Sequence, residues 1–373
     1  MEKKTEFLYL SEPDMIKAGV LDAKHCIDVM DEVFRLQGQG DCLMGGVNAN
    51  QHGLKINFPV TSEFPNMPLA GPDRRFMAMV AYLGGRFNVC GEKWSGSNIA
   101  NTSRGLPRSV LMCMLNDPDT CVPLCEMSAN LISATRTGAI PGVGTRYLAK
   151  KDASVCAVVG AGPIQKACFK AIATEAKNLK KVMVYDLFKE KAEAFAQYAK
   201  TECGVEGCVA ETMEEAVSQG DIVSLAASRL KLIELKDEWL KKGSLMIMSG
   251  PCSVDESYWT SATIIYDNQK MHENYMDDAR ASGDIEGTYR GMIGGAIYKL
   301  VDDKKLPPLS EGTNLGEVIM EKKPGRTSDD QRIVFMTGGQ AIYDVGWGKE
   351  IYDRAVEMNI GTKLLLWDEP FMG

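Results

Sequence analysis

No long run of lysine or arginine stands anywhere in this chain of 373 residues, and its formal net charge is −8 with a pI near 5.2. A surface built for nucleic acid or an anionic membrane needs the opposite sign, so neither partner is expected, although a local basic pocket stays open. No stretch approaches the ~20 consecutive apolar residues of a membrane span. The opening MEKKTEFLYLSEPDM lacks the apolar core of a secretion signal. Cysteine is plentiful, at eleven, but the patterns that would give it a structural role are missing. The count is odd, the residues are scattered, and Cys121 and Cys125 enclose three residues with no histidine beside them. Without a Cys-x-x-Cys pair, neither a disulfide scaffold nor a metal site is expected. Reduced, mostly buried thiols in a cytoplasmic protein are. Internal repeats and low-complexity tracts are absent as well.

What is present is ordinary in bulk and informative in order. Apolar content of 45% and charge of 25% are globular averages. The length exceeds what one core usually serves, so two domains are expected. Residues 13–37 read as one helix, with Ile16, Val20, Cys26, Val29, Met30, Val33 and Phe34 recurring near a 3.6 period. A Gly/Asn/Pro-rich stretch follows, then the strands FMAMVAYLGG, VCGEKWSG and RSVLMCMLNDPDTCVPLCEMS, with a hairpin at residues 116–119. Residues 130–148 form a helix whose small, apolar face carries Arg136. From residue 151 the character changes. SVCAVVG, KVMVYD, GVEGCVA, DIVSLAA, SLMIMSG and TIIYDN alternate with helical segments, which specifies a doubly wound parallel sheet covered on both faces. The alternation ends near Asn268. The last strand and helix do not continue it and are assigned back to the first domain. The expected division is therefore a discontinuous α+β domain, 1–150 and 331–373, around an α/β domain, 151–330.

Gly160-Ala161-Gly162 closes the first strand of that alternation and opens a helix. The first glycine allows a sharp turn, the second lets a pyrophosphate approach the backbone, and the helix start offers unpaired N–H groups. Gln165 stands where a third small residue is usual. KVMVYD places Asp186 about two dozen residues after Gly162, where an acid binds the adenine ribose and repels a 2′-phosphate. The competing, less favoured reading makes Asp186 the cap of the next helix. The domain thus reads as a Rossmann-type fold for NAD rather than NADP.

The segment GEKWSGSNIANTSRGLPRSVLMCMLNDPDTCVPLCEMSANLISATRTGAIPGVGTRYLAKKDA, the Gly-x-Gly turn and LGEVIMEKKPGRTSDDQRIVFMTGGQAIYD occur in an order that resembles the ornithine cyclodeaminase/mu-crystallin family. The likeness covers roughly residues 70 to 365. Members bind NAD(P)(H) and work on carbon–nitrogen bonds of small amino acids, moving a hydride between the α-carbon and nicotinamide through an imine. The resemblance implies that Lys93 meets the substrate carboxylate near the reacting nitrogen and that Arg136 grips the same carboxylate. Both cations suit such roles, since a guanidinium binds a carboxylate bidentately and a lysine of lowered pKa can exchange protons.

Cofactor positions carried over by the resemblance are Gly160, Gly162, Pro163, Ile164, Asp186, Ala226, Ser249 and Gly250, with Ser109 and Thr337 reaching in from the other domain. Gly338 is implied beside the substrate. An additional carboxylate contact falls on Lys55, Arg74 or Arg75, and His52 in NQHGLK is a candidate for substrate binding. Two positions depart from the cyclodeaminase pattern: the catalytic aspartate aligns with Cys252, three residues before Asp255, and a glutamate aligns with Met77. A thiol is a poor proton relay for ammonia loss. The first expectation is therefore an NAD-dependent oxidoreductase acting at the α-carbon of a small amino acid, imino acid or N-substituted amino acid. A cyclodeaminase-type lyase comes second and a non-enzymatic NAD(P)H or small-ligand binder third. Family members pair through the substrate-binding domain, so a homodimer is implied.

Overall fold

The computed structural model describes residues 4–227 and 232–372. The chain divides into two compact units, one made of residues 1–22, 39–136 and 340–373, the other of 23–38 and 137–339.

The first unit is built on an eight-stranded mixed sheet. Its central strands, Arg75–Leu83, Val89–Ser97, Ser109–Asn116 and Pro123–Ser128, run antiparallel to one another, and the expected hairpin joins the last two. Thr5–Leu10 lies parallel to Pro123–Ser128 and antiparallel to Thr362–Trp367. Each central strand alternates, sending one set of side chains inward. Across the sheet Met79, Lys93 and Cys113 are in register, as are Met77, Ser95 and Leu111. The helix Ala341–Glu357 packs on that inner face, with Val345 beside Gly91, and buries Trp347 and Tyr343 as well. Burial of such side chains contributes roughly 1.5–3 kcal/mol each.

The second unit holds an eight-stranded sheet in which every pairing is parallel. Its central strands, Val155–Val159, Ile222–Leu225, Leu245–Met248 and Ile333–Met336, are almost wholly buried, as continuous apolar runs require when helices cover both faces. The small residues of the helix Asn130–Leu148 have a packing reason here. A Cβ on Gly138 would sit 2.5 Å from the Ala167 carbonyl carbon, so only glycine lets it approach the helix Pro163–Glu175 so closely.

Three expectations change. Residues 13–37 are two helices, Glu12–Lys17 and Ala23–Gln39, because Gly19 takes φ +89° between them. Strand Ile333–Met336 was expected in the first domain, yet it pairs parallel to Leu245–Met248 and Thr263–Tyr266. Its IVFM run is buried throughout, which suits a central strand of this sheet rather than a half-exposed one. The division accordingly falls after Arg136 and after Gly339 instead of at residues 150 and 331, and residues 23–38 join the second unit. All eleven cysteines are thiols, six of them buried. Among the described residues no helix is long and apolar enough to cross a membrane.

Candidate active site

Three charged side chains meet inside the first unit. Strand pairing points Lys93 inward, the first turn of Ala341–Glu357 supplies Asp344, and the start of Asn130–Leu148 supplies Arg136. Lys93 Nζ donates to Asp344 Oδ2 at 2.7 Å, and Arg136 Nε donates to Asp344 Oδ1 at 2.9 Å. Lys93 is 4% exposed, Arg136 6% and Asp344 0%. Burial on that scale penalises each charge by several kcal/mol, so three such groups persist only in mutual contact. Removal from water pushes the Lys93 ammonium down to about 8, against the upward pull of Asp344 and with a further downward push from Arg136. Asp344 lies below its ordinary value: its two cations and their hydrogen bonds outweigh the largest single influence, burial, which acts upward. One anion between two cations leaves a net charge of +1, the complement of a single carboxylate. Among the described residues, no protein acceptor meets the Nη groups of Arg136 or the remaining N–H bonds of Lys93. That planar edge is what a carboxylate binds.

Register sorts the three competing cations. Lys55 pairs with Met77, and Arg75 with Ser97, so both lie on the sheet face that carries Lys93. Arg74 has the opposite parity; its guanidinium lies over the Phe58 ring and donates to Leu69 O at 3.1 Å. Arg75 is ion-paired with Asp73, which Arg108 also holds. Met77 is buried on the Lys93 face, an apolar neighbour where the cyclodeaminase pattern has a carboxylate. His52 stands half-buried just ahead of strand Leu54–Asn57.

The Gly-x-Gly turn lies wholly in the second unit. Gly160 takes φ +91°, and a Cβ there would fall 2.8 Å from Ala227 Cα. Gly162 is the N-cap of the helix Pro163–Glu175, with Pro163 at its first position, Ile164 exposed beside it and no side-chain cap. Nothing lies within 4 Å of where a Gly162 Cβ would be. The helix start therefore presents bare N–H groups to open space, the arrangement that binds a phosphate. Asp186 does two things: it accepts from Ala161 N–H at 2.8 Å, bracing the turn, and from Phe188 N–H at 3.0 Å. A pocket is lined by Gly160, Gly162, Asp186, Leu187, Met213 and Ala226. Gln165 is fully buried and donates to Ser224 O at 3.4 Å, so it packs helix to sheet rather than approaching a phosphate.

The remaining candidates are separated. Ser249 follows Leu245–Met248, and its hydroxyl lies 3.1 Å from that of Thr337, which donates to Met248 O. Thr337 thus belongs to the second unit with Ser249, not to the other domain as expected, because strand Ile333–Met336 carries it there. Gly250 faces the Ala227 backbone. Ser109 is in the first unit, its hydroxyl 2.7 Å from that of Ser97. Gly338 N–H donates to Asp267 Oδ2 at 2.7 Å. Cys252 is buried, which pushes its thiol up to about 12 and keeps it neutral, and Asp255 accepts from Asp237 N–H instead of facing any reaction centre. Among the described residues no group of three or more His, Cys, Asp and Glu could hold a metal.

Two features are hidden in the sequence and plain in the fold. Asp344 stands in QAIYDVGWG as one acid among apolar residues, with no local sign of a partner. A buried chain, Tyr298, His272 and Asp267, ties down the Gly338 loop. Burial raises Tyr298 well above its ordinary range, so it keeps its proton and donates to His272 Nδ1 at 2.5 Å. His272 Nε2 then donates to Asp267 Oδ1 at 3.0 Å.

The sequence profile of the ornithine cyclodeaminase/mu-crystallin family matches residues 20–359. Alanine dehydrogenase of Archaeoglobus fulgidus is 30% identical over 96% of this chain and 98% of its own length. N-((2S)-2-amino-2-carboxyethyl)-L-glutamate dehydrogenase of Staphylococcus aureus is 27% identical over 97% and 99%. Among solved structures, an archaeal alanine dehydrogenase dimer with bound NAD superposes with a TM-score of 0.77 at 25% identity, covering 97% of this chain and 100% of its own.

Proposed function

Since the chain belongs to the ornithine cyclodeaminase/mu-crystallin family, we propose that it is an NAD-dependent oxidoreductase exchanging a hydride at the α-carbon of a small amino or imino acid. The observation that carries this reading is the buried Lys93–Asp344–Arg136 cluster, with one net positive charge and an unengaged guanidinium edge. The substrate carboxylate takes the Arg136 edge and a Lys93 N–H. Lys93, poised near 8, gives a proton to the imine nitrogen in reduction and takes one back in oxidation. The Gly160 turn would hold the dinucleotide, whose chemistry would be to supply or accept the hydride. Open space at Gly162, an uncapped helix start and Asp186 fit NAD, and Asp186 disfavours the 2′-phosphate of NADP. Lys55 is the third cation on the substrate's face. Relatives named as dehydrogenases along nearly their whole length support the same chemistry.

The assay is NADH absorbance across a panel of imino acids and of keto acids with ammonium, including Δ1-pyrroline-2-carboxylate. Turnover that requires a carboxylate next to the imine carbon is expected. A protein that binds NADH and reduces none of the panel would overturn the reading. Ornithine is the contrasting substrate, and no release of proline and ammonia is expected, because the position of the cyclodeaminase acid holds the neutral Cys252 thiol.

We further propose a homodimer through the outer face of the first unit's sheet. Phe76 and Trp94 stack there at 5.6 Å while each is 39% exposed, with Val80 and Val110 alongside. An apolar sheet face of this kind is a protein contact in waiting. Trp94→Glu should convert dimer to monomer in light scattering; a native chain that is monomeric at micromolar concentration would refute the pairing.

A further inference from the structure

We infer that Asp344 is the positioning residue of this site, holding Arg136 by Nε so that its Nη groups meet the substrate carboxylate, and holding Lys93 where it serves the substrate nitrogen. The inference rests on the proposed oxidoreductase reading and adds a role that neither cation can fill for itself.

The geometry conserves donors. A carboxylate could have taken the guanidinium by two parallel bonds, the stronger arrangement. Asp344 instead gives one oxygen to Arg136 Nε, at 2.9 Å, and the other to Lys93 Nζ, at 2.7 Å. Each cation is thereby fixed through a single N–H and keeps its other donors. A substrate carboxylate arriving between them finds both pre-aimed, so little side-chain entropy is lost on binding. Placement supports the same view. Asp344 sits in the first turn of a helix whose neighbours Tyr343, Val345 and Trp347 are fully buried, so its carboxylate has no freedom to follow the substrate.

Asp344 also sets the proton. The charged or titratable groups facing Lys93 are Asp344 from the C-terminal helix, Arg136 from the helix Asn130–Leu148, and Cys113 from the adjacent strand. Burial and Arg136 both drive Lys93 toward the neutral amine; Asp344 is the largest influence opposing them. Without it the lysine would lose its proton at a lower pH.

The test uses the full chain with lysine isotopically labelled at Cε, the Lys93 signal being the one missing from Lys93→Met. In the native protein it should titrate near 8. Asp344→Asn should lower that midpoint by about one unit or more, the scale of a lost contact charge. Asp344→Glu keeps the charge but moves the oxygens. Its lysine midpoint should stay near the native one while KM for Δ1-pyrroline-2-carboxylate rises about tenfold with kcat little changed, the signature of lost ground-state alignment. Far-UV circular dichroism and a cooperative thermal melt confirm that each variant is folded, and NADH fluorescence titration checks separately that the dinucleotide turn, which belongs to the other unit, is intact.

An unshifted Lys93 midpoint in a folded Asp344→Asn protein overturns the inference. Should Asp344→Asn fail to fold, Asp344→Glu decides: native KM there overturns it, a raised KM supports it. A native protein that reduces no imino acid sinks the functional reading instead, and the lysine titration alone then rules on Asp344.

Discussion

The turn at residues 160–162 is made almost wholly of backbone, whereas the Lys93 cluster is made wholly of side chains. The turn needs room and direction: one glycine at φ +91°, a second with open space before it, and a helix start that faces outward. Its residues are contiguous, and it buries no charge. The cluster gathers Lys93, Arg136 and Asp344 from three distant segments and buries all of them. Holding charge out of water costs several kcal/mol per ion unless partners are in place. In the proposed reading the chemistry lies there, since of the two regions it is the one that holds a proton poised near working pH. On that reading one region binds with what every chain has, and the other reacts with what only this sequence supplies.

The largest expected effect separates the two roles outright. Lys93→Met and Arg136→Met should each lower kcat/KM on an imino acid by roughly a thousandfold, the scale of removing a proton donor or a charge clamp. Affinity for NADH, measured by fluorescence titration, should change less than about twofold, because the turn lies in the other unit. Near-native kinetics in either variant would assign the chemistry elsewhere. Gly160→Ala should do the reverse. A side chain at φ +91°, pressed to 2.8 Å from Ala227 Cα, is strained twice over. A loss of about 3 kcal/mol in urea unfolding is expected, with NADH binding weakened alongside.

The two regions also differ in how far the sequence discloses them. The turn is directly legible, because its signal is local: a run of β-formers, two glycines, a helical period and an acid at the end of the next strand. Lys93 and Arg136 are reached only through family resemblance. A lysine on a strand looks the same whether it faces solvent or core until the register is known. Asp344 stays hidden because its partners lie 251 and 208 residues away. Strand Ile333–Met336 falls in the wrong domain for a related reason: four apolar residues carry no sign of which sheet they join, and only pairing with Leu245–Met248 decides it. Thr337 moves with it.

Titration sharpens the contrast at an intermediate scale. With Lys93 near 8, the rate of imine reduction should fall about tenfold per pH unit above that value, since the ammonium is the form that donates. The oxidative rate should fall below it. Stability follows the opposite convention from a lysine that gains a partner. The folded-state value lies beneath the ordinary 10.5, so between about 8 and 10.5 the unfolded chain binds more protons and Lys93 adds stability as pH rises. Native protein should therefore gain thermal stability relative to Lys93→Met across that window. A profile that stays flat through the window would place Lys93 in contact with water.

The smallest effect tests whether the turn is for phosphate at all. Gly162 has φ −75°, which any residue adopts, and nothing within 4 Å of its Cβ position, so Gly162→Ala carries no folding penalty of its own. Alanine is in fact stabilising by a few tenths of a kcal/mol wherever the backbone accepts it, through the unfolded state. If the space before Gly162 exists for a pyrophosphate, that methyl group meets the ligand instead of the protein. NADH affinity should then drop by about tenfold, or roughly 1.4 kcal/mol, while the melting temperature holds or rises. A glycine that serves no ligand would leave NADH affinity unchanged while the melting temperature still holds or rises, because its conformation does not ask for glycine. Unaltered NADH affinity in Gly162→Ala would thus mean that the open space serves no phosphate, and that the fit of this turn to a dinucleotide rests on Asp186 and the helix start alone.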